Sequence, residues 1–172
     1  TVSRFLTTYF GLYRMINALH EGVQTVVDLD TALIDLKKTT TMNSNELSSF
    51  YFEANDAAKE LGVTTQEIIT QAANWSRLGY SDKHGATEMA KLSSQFAQIS
   101  PGMDVDEATD GLVSAMKAFG IDVDNVLDGV MSKINQVGNT TATTNQEIVQ
   151  MLARSSSAMA AANNSLEETI AL

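Results

Sequence analysis

Cysteine is absent from this chain, proline occurs once, as Pro101, and histidine twice, as His20 and His84. Without thiols there is no disulfide, no thiolate metal site and no thiol nucleophile. That excludes a small disulfide-stapled secreted scaffold and leaves the compartment open. Two histidines without H-x-x-x-H spacing supply no zinc ligand set. Long apolar runs are missing too. The longest, Ala158–Ala162, is far too short to cross a bilayer. The first residues, "TVSRFLTTYF", lack both Met and the charged-then-apolar order of a signal peptide. The last, "LEETIAL", stop about one turn into a helix pattern. Both ends therefore read as cut, and the expectation is a piece of a larger protein.

Positive charge is also scarce, with 11 Lys+Arg against 21 Asp+Glu and a net charge of −10. The deficit is uneven. Residues 1–42 balance to zero, so residues 43–172 carry all of it, as 7 basic against 17 acidic side chains. Such a surface repels phosphate backbones, which argues against direct nucleic-acid binding. It serves solubility, and it would also tolerate confinement beside an acidic polymer.

What is present favours helix. Apolar residues make up 44% of the 172, and Ala, Leu, Met, Gln, Glu and Lys are frequent. The expected fold is all-α: a long N-terminal helix followed by a compact multi-helix domain of about six to seven helices. In residues 3–41, Leu12, Ile16, Leu19, Val23 and Val26 step by four and three, the seam spacing of a coiled coil. Leu29, Leu33 and Leu36 continue the stripe after a register shift, and Phe5, Tyr9, Phe10 and Tyr13 enlarge its start. A helix of that length would reach roughly 60 Å. It needs a partner in its own chain or in a second copy. Residues 1–42 thus read as a packing or oligomerisation arm, and 43–172 as a compact acidic domain truncated at its C-terminal end. "TTTMNSN" (39–45) reads as the polar break between them.

Punctuation recurs beyond that break. Thr64-x-x-Glu67, Asp104-x-x-Glu107, Thr144-x-x-Glu147 and Ser165-x-x-Glu168 have the form of capping boxes. Gly62, Gly79 and Gly120 follow periodic stretches and read as C-terminal stops. Helices are expected near 45–61, 65–78, 82–99, 105–118, 123–137 and 145–162, and from 166 on. The threonines of "NTTATT" are then a connector after a helix ending near Gly138. Ile148, Met151, Leu152, Ser155, Met159 and Ala162 are the expected inner face of the helix that follows. "AAKELGVTTQEI" and "AMKAFGIDVDNV" echo each other 58 residues apart, too few copies for a solenoid.

Each candidate for chemistry has a structural counterpart. "DVDEATDG" (104–111) and "DVDNVLDG" (122–129) suggest calcium loops, but alanine or valine stands at the fifth ligand position and no Glu at the twelfth. Acidic residues in a first helical turn are favoured by the helix dipole anyway. "SDKHG" (81–85) groups Ser, Asp and His without a nucleophile turn or oxyanion hole, so it reads as a helix start. Asn74, Asn139 and Asn163 sit in glycosylation-type triplets, which are common by chance. Trp75 reads as a core anchor, and Met89, Met116, Met131, Met151 and Met159 as core filling. "SSSAMAAANNS" (155–165) reads as tight packing, within the domain or between copies. No catalytic, cofactor-binding or metal residue and no cofactor are expected, and no enzymatic activity.

"MLARSSSAMAAANNSLEETIAL" (151–172) resembles a segment of tape measure proteins from long-tailed bacteriophages and prophages. Upstream, "AKELGVTTQEI", "NWSRLGYS" and "AMKAFGIDVDNVLDGVMSKIN" are similar in order and spacing to the same core region. The resemblance spans about 55–172, and "NTTATT" departs from it. It implies a structural protein that helps determine tail length, assembles with the tail tube, tail chaperone and tail tip proteins, and leaves the tube before DNA passes. It implies residence in the virion tail lumen, host cytoplasm during assembly, and host membrane contact at ejection. Independently, the aromatic start "FLTTYFGLYRMI" suits a membrane-active helical pore former or a secreted helical protein.

Overall fold

The computed structural model describes residues 23–171, with side chains from Asp28 onward. Among these residues there are eight α-helices and no strand. They are α1 (Val23–Thr39), α2 (Ser44–Leu61), α3 (Thr65–Arg77), α4 (Lys83–Gln98), α5 (Val105–Phe119), α6 (Ser132–Thr140), α7 (Asn145–Ala161) and α8 (Leu166–Ile170). The expected helix at 3–41 is present over Val23–Thr39. Its earlier part, with Phe5, Tyr9, Phe10, Tyr13 and His20, lies outside the described residues.

The chain divides into two compact units between Thr87 and Glu88, and α4 runs through the division. In the first unit, α1 packs on α3, and α2 packs on α3 as well. Leu29, Ala32 and Leu36 form the buried stripe of α1, at the i, i+3, i+7 spacing of a helix face. Ile68, Ile69, Ala72, Ala73 and Trp75 do the same for α3. Trp75 is fully buried and meets Tyr80 edge-on, with ring centroids 5.4 Å apart. Burying each such aliphatic side chain contributes about 1.5–3 kcal/mol.

The "TTT" break does more than separate two helices. The Ser81 carbonyl accepts from the Thr41 N–H at 2.8 Å, the Thr40 hydroxyl at 2.6 Å and the Thr41 hydroxyl at 3.0 Å. Lys37 Nζ donates to the Met42 carbonyl at 3.1 Å. The connector is therefore tied to the turn before α4, a contact that polarity alone does not announce. Lys83 reaches Glu53 at 2.6 Å and ties α4 to α2 in the same unit.

In the second unit, α5 and α7 make the most extensive helix–helix contact among the described elements. Gly111 makes it possible. A Cβ there would lie 2.5 Å from Val149 Cγ1 and 3.1 Å from the Val149 carbonyl oxygen. Leu112, Ala115 and Met116 from α5, and Ile148, Val149 and Leu152 from α7, fill the core. The α8 helix, with Leu166 and Ile170 buried, packs on α7 and α6.

Three expectations need correction. The inner face of α7 runs through Asn145, Ile148, Val149, Leu152 and Ser156. Met151, Ser155 and Met159 are half-buried and Ala162 is exposed, because close contact with Gly111 turns Val149 inward. The small residues Ser157, Ala158 and Ala161 are exposed, so they do not pack within the unit. Finally, residues 123–137 are not one α-helix. They begin as a 3-10 turn (Val123–Asn125), pass through a π turn (Leu127–Met131) and become α-helical only at Ser132. That helix continues past Gly138 to Thr140, so the connector is short. Gly138 is needed instead for space, since a Cβ there would overlap Asn145 Oδ1.

Gly111→Ala is expected to lower stability by about 1–3 kcal/mol through overpacking, despite a helix-propensity gain of about 1 kcal/mol. Gly129→Ala, whose nearest neighbours would be at 3.8 Å, is expected to be neutral or stabilising. Denaturant titration of the full chain checks both.

Candidate functional site

Five glutamates of the described residues stand at helix starts. All four expected capping boxes are present, and a fifth occurs at Asn43-x-x-Glu46. In each, the first residue's side-chain oxygen accepts the N–H three residues on, and the Glu there accepts the cap's own N–H. At Thr144 these bonds are 3.2 Å and 2.8 Å. At Asn43 they are 3.1 Å and 2.8 Å. The fifth is capped by Asn, which serves as well as Ser.

The calcium-like stretches resolve the same way, up to a point. Asp104 caps α5, with the Glu107 N–H 2.8 Å from its Oδ1. Asp122 stands at the equivalent place but makes no side-chain cap bond. The two echoing segments share the preceding turn. Gly62 and Gly120 are left-handed, at φ 68° and 66°. The residues after them, Val63 and Ile121, donate to carbonyls five positions back at 3.0 and 2.9 Å. They then diverge because Glu67 completes a box, whereas Asn125 stands in its place. A 3-10 start follows.

In "SDKHG", Asp82 Oδ1 accepts the Gly85 N–H at 2.9 Å, which opens α4. His84 is exposed in that first turn. The triplet at Asn74 includes Ser76, which is buried. Among the described residues, no three His, Cys, Asp or Glu side chains are grouped to hold a metal ion, and no helix is long and apolar enough to cross a membrane.

One polar constellation was not visible in advance. Glu107 Oε2 accepts from Gln146 Nε2 at 2.8 Å and Oε1 from Gln150 Nε2 at 3.0 Å. Gln146 Nε2 also donates to the Gly102 carbonyl at 2.9 Å. Beside it, Asn145 Nδ2 donates to Ser100 Oγ at 3.0 Å and Asn135 Oδ1 at 3.2 Å. Amide donors on both of its oxygens make Glu107 a fastening between α7 and α5. Gln146 and Gln150 stand four apart, the spacing that puts both on one helical face. Only the fold shows which carboxylate that face meets.

The family-model comparison agrees with a structural role. Residues 52–172 match the model described as phage-related minor tail protein. The chain belongs to that family. No curated protein and no solved structure matches it significantly. The match to this phage tail family covers the whole second unit and begins inside α2.

Two carboxylates among the described residues of this minor tail protein are held below their ordinary range. The Thr144 backbone N–H, and then its hydroxyl, hold the Glu147 carboxyl below the usual carboxylate range. Lys133 does the same for Glu167, to which it is hydrogen-bonded. A lowered carboxylate pKa contributes stability that is present above the unfolded-state value. That contribution is lost as pH falls through the folded-state value. The thermal midpoint of the full chain is therefore expected to drop as pH is taken from about 6 to about 3. Glu147→Gln keeps a capping acceptor but does not titrate, and Lys133→Ala frees Glu167. Each is expected to make the acid slope shallower, and slopes identical to the unsubstituted chain would refute the assignment.

Proposed function

We propose that this phage tail protein is part of a tail tape measure protein, acting through helical extent and packing rather than through catalysis. Membership of the phage-related minor tail protein family over residues 52–172 carries the reading. The resemblance of "MLARSSSAMAAANNSLEETIAL" to tape measure segments supports its finer form, a contribution to tail length determination and tube assembly with a later role in DNA ejection. An α-helix rises 1.5 Å per residue whatever its sequence, so a helical chain is a physical ruler. An acidic surface sits in a tube lumen without adhering to the DNA that later passes.

The partners that follow are the tail tube, tail chaperone and tail tip proteins, with host membrane contact at ejection and host cytoplasm during assembly. Self-association is assigned to residues 1–42, on the seam of Leu12, Ile16, Leu19, Val23 and Val26. In-frame duplication of residues 3–41 in a phage encoding this chain is expected to lengthen its tails by roughly 60 Å in electron micrographs. Tails of unchanged length would overturn the ruler role. For the arm, light scattering should give an oligomer for the full chain and a smaller mass for a chain starting at Val23, which retains α1. Equal monomeric masses would remove it.

A further inference from the structure

Tyr51 lies on the buried side of α2, 2% exposed, and its hydroxyl is enclosed without a hydrogen-bond partner among the described residues. Burial alone pushes its phenol pKa up, as expected where nothing compensates the lost water. A serine could correct such a defect by turning its hydroxyl to the carbonyl four residues back. Ser93, Thr109, Ser156 and Thr169 do so in the second unit. A tyrosine hydroxyl stands at the end of a rigid ring and has no local carbonyl within reach. An enclosed donor without a partner penalises the closed state, because opening returns it to water.

The helix that carries it, α2, packs on α3. The α2–α3 contact is less extensive than the α5–α7 contact. Between α2 and the start of α3, Thr65 Oγ1 donates to Asn55 Oδ1 at 3.2 Å. The α5–α7 pair is locked at Gly111 and crossed by the two glutamine amides on Glu107.

We propose that Tyr51 makes the α2–α3 pairing a release point, which separates by local opening ahead of the α5–α7 pairing while the second unit stays folded. The phenol lowers the threshold for that step, and rehydration of its hydroxyl favours the opened state. This device stands on the two helix pairs alone, whatever the chain does in a tail.

Hydrogen exchange of the full chain, resolved by segment, tests it. Amides of 44–77 are expected to exchange before those of 105–119 and 145–161. Tyr51→Phe preserves the ring and removes the hydroxyl. It should slow exchange in 44–77 by about tenfold and leave 105–119 and 145–161 unchanged. If 105–119 and 145–161 exchange as early as 44–77, the order of release is wrong. If Tyr51→Phe leaves exchange in 44–77 unchanged or speeds it, the hydroxyl has a partner or bound water, and the proposal fails.

Discussion

A helix start exposes backbone N–H groups that no turn of the same helix can satisfy. This protein solves that problem repeatedly with a short polar cap and a glutamate three residues on. Because the described part of the chain is built of modest helices joined by tight turns, much of its architecture depends on those reciprocal bonds. They set where each helix begins, and with it the rotational phase of its apolar face. They also give five acidic side chains a structural role, since Glu46, Glu67, Glu107, Glu147 and Glu168 all serve helix starts.

This use of carboxylates bears on chemistry. Catalytic acids and metal ligands require charged groups that converge on a common point. Here the boxes place their glutamates at five separate helix starts. Among the boxes, Glu107 gathers further partners across helices, the amide donors of Gln146 and Gln150. Among the described residues, several polar side chains fasten one helix to another.

The two helix pairs at the centre of the structure differ in how they are closed. Gly111 lets α5 and α7 approach until Val149 fills the gap, and amide–carboxylate bonds cross the pair at its α5 start. The α2 side chain that would finish its own core, Tyr51, carries a hydroxyl with nothing to bond. Close packing and complete hydrogen bonding coincide in one pair and not in the other, and the difference bears on which pair yields first.

Much of this was legible in the residues. Helix type, the boundaries of α2, α3, α4, α5 and α7 to within a few residues, and four of five boxes follow from local rules of capping, glycine stops and periodicity, because those interactions span four or five residues. The failures are also physical. Residues 123–131 read as α-helical by pattern, yet lack the Glu that would fasten a first turn, and they wind as 3-10 and then π. The inner face of α7 rotated because Gly111, some forty residues away, admits Val149. Gly138 looked like a stop but makes room for Asn145. The chain by itself determined where the boxed helices begin, since each of those starts carries its own partners. Only the tertiary structure decided which faces turn inward, which amides meet Glu107 and whether Tyr51 finds a partner, because those outcomes depend on atoms brought together from distant turns.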